Sequence, residues 1–312
     1  MTIFMSSISG ILIILVMVLI GYVLAERQWF NDEAASLIAR LVTQIGLPCY
    51  MIQTIISKFS ADDLRKMLPQ LRFPALSMFL LLVLALAIGQ LFRIKKSHRG
   101  LFTSMFFNSN TVFVGLPINQ ALFGDTSITY VLIYYMCNTL FFWTIGVYLI
   151  QRDGRAGQDF DWKTNLKKLF SPPLYGFMIG IVLVLLKIKL PQFLMTDLTY
   201  IGNITIPLSM IFIGLSISKA GLGKLQFGKD NLLILLGRFM LAPLLMALIV
   251  MPTTMPLLMK QVFVIQSAMP VMTNAPVIAR LYGADSDYAA IMVTETTLAT
   301  VLVVPLLVVL LN

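Results

Sequence analysis

Ten stretches of this sequence stay apolar for long enough to cross a lipid bilayer, which takes about 20 residues of helix. They run over residues 8–25, 34–57, 73–92, 101–123, 128–150, 172–186, 198–218, 232–251, 257–281 and 289–311. In hydrocarbon every main-chain donor and acceptor must be satisfied within the protein, so spans are helices or closed-barrel strands. The apolar runs are continuous rather than alternating at period two, which argues against a barrel. Only 12% of residues are charged against 58% hydrophobic, too few charges to clothe a water-facing surface. The expected fold class is an all-α polytopic membrane protein with ten transmembrane helices.

The formal net charge of +9 does not point to nucleic acid, because the Lys and Arg sit in loops between apolar spans. With the N-terminus outside, fourteen of them fall in inside loops and seven in outside loops. Positive charge prefers the cytoplasm, so both termini are expected outside and the protein in the plasma membrane. Cys49 and Cys137 lie in apolar segments and the single His98 in a basic loop, which makes neither a metal site nor a disulfide framework. The first run ends in AERQWF without a small-residue cleavage pattern, so it is expected to remain as a span.

An offset of 159 residues carries Gly21 onto Gly180, Pro48 onto Pro207, Pro117 onto Pro276, Gly124 onto Gly283 and Ser127 onto Ser286. Several Gly and Pro matches at one ungapped offset point to an internal repeat. The expected division is a first five-span repeat at 1–150, a cytoplasmic linker at 151–171 and a second repeat at 172–312. Five is odd, so the second copy enters the membrane from the opposite side, as in the inverted repeats of many secondary transporters.

Two spans in corresponding positions carry polar groups and prolines at membrane depth. The fourth reads FFNSNTVFVGLPINQALFG and the ninth QSAMPVMTNAPVIARLYG. A proline there removes a donor and frees a carbonyl, which is tolerated where the broken backbone is covered or lines a cavity. Paired interrupted spans are the best sequence pointer to a transporter's binding site.

The motifs NSNTVFVGLPI, GLP at Gly46–Pro48 and AMPVMTNAPVIARLYGADSDYAAIMVTETTLATVLVVP resemble the auxin efflux carrier family, which includes plant auxin exporters and bacterial malate or malonate permeases. The resemblance covers essentially the whole chain, and the absence of a long central loop favours the compact bacterial branch. It implies two inverted five-helix repeats whose fourth and ninth helices cross near Pro117 and Pro276 or Pro270. It also implies a scaffold of spans 1, 2, 6 and 7, a moving domain of spans 3–5 and 8–10, and a homodimer through the scaffold.

Candidate site residues follow. Asn108, Ser109, Asn110, Thr111, Thr273 and Asn274 offer hydrogen bonds at the breaks, where half-helix N-termini favour anions. Gly115, Pro117, Pro270 and Pro276 are the crossover or hinge positions. Gln44, Gln53 and Asn203 could face the site from the scaffold, and Asn138 is expected to bond between helices. Arg40, Arg238 and Arg280 are near enough to span ends to snorkel, and Arg280 is preferred as the cation that meets a substrate carboxylate. Glu295 is the one carboxylate well inside a span, costly to ionise there, so with Gln266 it is the candidate for coupling to H⁺ or Na⁺.

No cofactor, nucleotide motif or resident metal is expected, and no catalytic constellation is visible. The expected function is secondary transport of small organic anions, malate-like dicarboxylates first, by alternating access of an elevator-type moving domain. The alternatives are a sodium-coupled bile-acid-type symporter and a non-transporting anion sensor on the same fold.

Overall fold

The computed structural model describes residues 16–30, 32–154, 172–220 and 228–311. Residues 8–15 of the first span and 155–171 of the linker lie outside the described residues. Among the described residues twelve helical segments follow one another: α1 (Val16–Glu26), α2 (Glu33–Lys58), α3 (Ala61–Leu91), α4 (Arg99–Phe107), α5 (Thr111–Phe123) and α6 (Asp125–Gly154). After the linker come α7 (Pro172–Leu185), α8 (Gln192–Ser218), α9 (Lys229–Val250), α10 (Leu257–Ser267), α11 (Ala275–Tyr282) and α12 (Ser286–Leu311). Each segment falls on one of the apolar runs in the sequence, and the fourth and ninth runs are each split in two.

Six of these helices, α2, α3, α6, α8, α9 and α12, are long and apolar enough to cross a membrane. No strand occurs among the described residues, only an isolated antiparallel bridge between Ser109 and Val271. Prolines shape the helices from within. A widened turn with i→i+5 bonding, at Leu41–Gly46, Thr111–Gly115 and Gly237–Leu241, precedes Pro48, Pro117 and Pro243 respectively. Proline has no N–H to give, so the hydrogen-bond ladder slips by one residue just before it instead of breaking.

Four packed clusters result among the described residues, and the two largest frame the site. Around α2, its Leu47, Met51 and Ile55 bury against Phe177 of α7 and Leu215 of α8, with Phe113 of α5 and Leu132 of α6 on the other side. A second core joins Met78 and Leu81 of α3, Phe102 and Phe106 of α4, Phe142 of α6, Ile234 of α9, Ile278 of α11 and Met292 of α12. The outer faces of α3, α7 and α9 show Leu, Ile, Val and Phe, including Phe79, Ile179 and Leu248. Water would not tolerate a stripe of that extent on every side, whereas lipid does.

Candidate functional site

The chain leaves the helical path at residues 108–110, between α4 and α5, and again at residues 268–274, between α10 and α11. The two links meet. Ser109 and Val271 form the antiparallel bridge, and Asn110 N–H donates to the Pro270 carbonyl at 2.8 Å. Gln266 at the end of α10 donates through Nε2 to the Thr111 carbonyl at 3.3 Å. A Cβ on Gly115 would lie 2.4 Å from Gln266 Oε1, so the bare glycine leaves the room that the Gln266 amide occupies.

Breaking a helix strands carbonyls at its end and N–H groups at the start of the next. Here the two kinds of orphan are sorted to different partners. The carbonyls go to Arg238, which is 0% exposed in the middle of α9. Its Nη1 donates to Phe106 O at 3.0 Å, its Nη2 to Ser267 O at 2.6 Å and Met269 O at 2.8 Å, and its Nε to Met269 O at 3.1 Å. One guanidinium therefore closes the C-terminal ends of both α4 and α10, where the helix dipoles are negative and a cation is favoured. Gly237 makes this reach possible. A Cβ there would lie 2.3 Å from the Phe106 ring, so only glycine lets α9 press onto α4 at that height.

The first link is held by its neighbours as well. Asn138 of α6 accepts from Ser109 N–H at 2.9 Å and donates to Ser109 O at 2.8 Å, imitating a strand partner. The interhelical bond expected of Asn138 is thus made to main chain. Asn108 donates to Ser104 O at 3.1 Å, and Asn110 Oδ1 accepts from Phe113 N–H at 3.2 Å, capping α5. The second link hangs on α12, where Thr296 Oγ1 accepts from Val271 N–H at 3.0 Å. Asn274 starts α11 with no bond from its side chain to the helix.

The N-terminal ends of α5 and α11 open on one cavity of about 250 Å³. Asn110 of the first link and Thr111 of α5 line it, with Thr273 and Asn274 of the second link and Gln44 of α2. Thr139 and Trp143 of α6 complete one wall. Two buried groups at this cavity have no hydrogen-bond partner among the described residues, Asn110 Nδ2 and the Thr139 hydroxyl. A buried donor left unmet costs about 1–3 kcal/mol, and a ligand that accepts from it recovers that free energy.

The structure thus brings together Gln44, Asn110, Thr111, Thr273 and Asn274, while Asn108 and Ser109 lie behind them, buried in the crossing. Pro270 sits at the crossing itself, Pro276 in the first turn of α11, and Pro117 further along α5 than the break. Asn203 and Arg280 are exposed and do not line the cavity. The snorkelling expected of Arg238 does not occur, because its guanidinium is captured by three carbonyls in the interior. Glu295 is 5% exposed on α12, where it accepts from Asn231 Nδ2 of α9 at 3.0 Å, away from the cavity lining. Arg238 and Thr139 are the residues that sequence reasoning undervalued. The only hint of Thr139 was a second polar residue next to Asn138 at the same depth.

An all-helical, multi-pass membrane protein with two broken helices clasped beside a polar cavity belongs to the class of membrane transporters. The chain is a member of the membrane transport protein family, whose pattern matches residues 6–308. This is the auxin efflux carrier family that its motifs resemble. It is 27% identical over 305 residues to an uncharacterized transporter of Methanocaldococcus jannaschii, covering 95% of this chain and 96% of that one. An uncharacterized transporter of Methanothermobacter thermautotrophicus is 26% identical over 312 residues, covering 97% and 98%.

Proposed function

We propose that this transporter is a secondary carrier of small organic anions, with malate- or malonate-like dicarboxylates as its first class and monocarboxylates second. One observation carries this: the crossing sends both negative helix ends to Arg238 and leaves both positive helix ends at the cavity. A carboxylate placed there faces the positive ends of α5 and α11 and accepts from Asn110 Nδ2 and from the Thr139 and Thr273 hydroxyls. At about 250 Å³ the cavity lies just below the roughly 300–1,000 Å³ of drug-sized sites, which suits a small acid.

The spans are ten, in two inverted repeats. The antiparallel Ser109–Val271 bridge supports this, since helices in oppositely directed copies run past each other in opposite senses. The cavity lies where α2 and α7 meet α5, α6 and the second link. Movement of α3–α6 and α9–α12 against a scaffold of α1, α2, α7 and α8 would open it to one side and then the other. Two copies pair through that scaffold, and both termini face outward from the plasma membrane. Glu295, one residue from the Thr296 that holds the second link, is the group through which a proton or Na⁺ would couple, with Gln266 nearer the crossing.

The experiment is uptake of labelled acids into proteoliposomes under imposed proton, sodium and potential gradients. Dicarboxylate uptake above empty liposomes is expected in at least one gradient, and Glu295→Gln should abolish its ion dependence. If no acid moves in any gradient, the proposal fails.

A further inference from the structure

A second polar cavity, about 400 Å³, opens far from the crossing, between the end of α3, the start of α4 and the end of α6. Lys96, Arg99 and Arg152 line it, with Gln90, Thr103 and Asp153. The one carboxylate, Asp153, accepts from Leu101 N–H of α4 through Oδ2 at 2.7 Å and offsets only one of the three charges. None of the three cations forms an ion pair within 4.0 Å among the described residues, whose ion pairs are Lys58–Asp125, Arg65–Asp62 and His98–Asp285. Arg99 Nε is buried without a hydrogen-bond partner, although its Nη2 reaches the Ile94 carbonyl at 3.3 Å. The pocket thus stays net positive, three cations against one carboxylate, with at least one unmet donor.

What adjoins it is apolar. Leu76, Phe79, Val83 and Leu86 of α3 are all exposed and recur at intervals of three, four and three residues, so they form one stripe along the helix. Leu86 is itself part of the pocket wall, and Gln90 continues the stripe by four residues into the polar region. A site with cations at one end and an apolar stripe running from it matches a molecule with an anionic head and a hydrocarbon tail. A free anion would use the cations and leave the stripe irrelevant. Basic pockets between membrane helices at headgroup level are where anionic lipids are held.

The geometry points to a binding site for an anionic phospholipid, its phosphate held by Lys96, Arg99 and Arg152 and an acyl chain lying along the outer face of α3. It rests on the membrane-spanning character of α3 and α6 and not on which acid is transported. The site ties three helices together at one membrane surface, next to the loop where His98 meets Asp285 at 3.2 Å and stacks on Tyr288 of α12.

The test is native mass spectrometry of the purified full chain equilibrated with equal amounts of phosphatidylglycerol and phosphatidylcholine, with and without inorganic phosphate. Phosphatidylglycerol should be retained selectively and should stay bound in phosphate. Lys96→Gln and Arg152→Gln alter exposed rim residues, so folding is not at stake, and each should weaken retention about fivefold. Lys187→Gln, outside the pocket, should change nothing. Equal retention of the two lipids, or selectivity unchanged in both rim variants, overturns the proposal. Displacement by inorganic phosphate also overturns it and assigns the cavity to a free anion.

Discussion

The link between α4 and α5 and the link between α10 and α11 meet at one bridge, yet they are secured in different ways. The first spans residues 108–110, and Asn108, Ser109 and Asn110 are buried, bonded to Ser104, Asn138 and Phe113. The second spans residues 268–274, where Met272, Thr273 and Asn274 are only partly buried and Asn274 leaves its helix uncapped. The first link is held at Asn108, at the Ser109 main chain and at Asn110 Oδ1, leaving Asn110 Nδ2 for the cavity, whereas the second presents the less buried Thr273 and Asn274 to it. The more numerous side-chain bonds therefore secure the first link. Arg238 is what they share, since it bonds Phe106 before one link and Ser267 and Met269 at the other.

Removing Arg238 should have the largest effect, because it orphans three buried carbonyls at once. Arg238→Leu is expected to cost about 3 kcal/mol or more and to abolish uptake, read by thermal unfolding and proteoliposome flux. Arg238→Lys should fall between, since an ammonium lacks the planar fork. A Leu variant that melts like wild type would mean that the two links do not depend on a common clasp. Asn138→Leu comes next, at about 2 kcal/mol, because both of its bonds to Ser109 vanish and the link is left bare. Thr296→Val should cost about 1 kcal/mol, a single bond to the less tightly held link. If the order of those two is reversed, the contrast between the links is wrong. Smallest in stability is Thr139→Val, whose hydroxyl has no partner among the described residues. Its melting should stay within about 0.5 kcal/mol of wild type, while the affinity for a transported acid drops about fivefold.

Much of this architecture could be read from the amino acids. The apolar runs placed every helical segment, and prolines at matched positions marked the two interrupted spans. Gly115 was expected at the crossover and Gln266 in ion coupling, and the direct contact between the two could not be foreseen. What stayed hidden depends on convergence. Arg238 looks like a snorkelling arginine until carbonyls from two links, more than a hundred residues apart, are seen to gather around it. Thr139 looks like an ordinary helical threonine, of the kind that bonds the carbonyl four residues back as Thr144 does to Leu140. Arg280 and Asn203 lie apart from the cavity lining for a simpler reason. Helical period puts Arg280 beside Val277 and Asn203 beside Tyr200, each three residues earlier, on faces that the structure leaves exposed.

Asn110→Asp separates the account from its rivals most cleanly. An aspartate keeps an oxygen for Phe113 N–H and so keeps the α5 cap, but it removes the free Nδ2 donor and adds negative charge where the anion should sit. Equilibrium binding of a labelled dicarboxylate should weaken about a hundredfold or more in this variant. Arg280→Gln, measured alongside, should stay within about twofold of wild type. Binding that survives Asn110→Asp and disappears in Arg280→Gln would place the anion elsewhere than the cavity at the crossing.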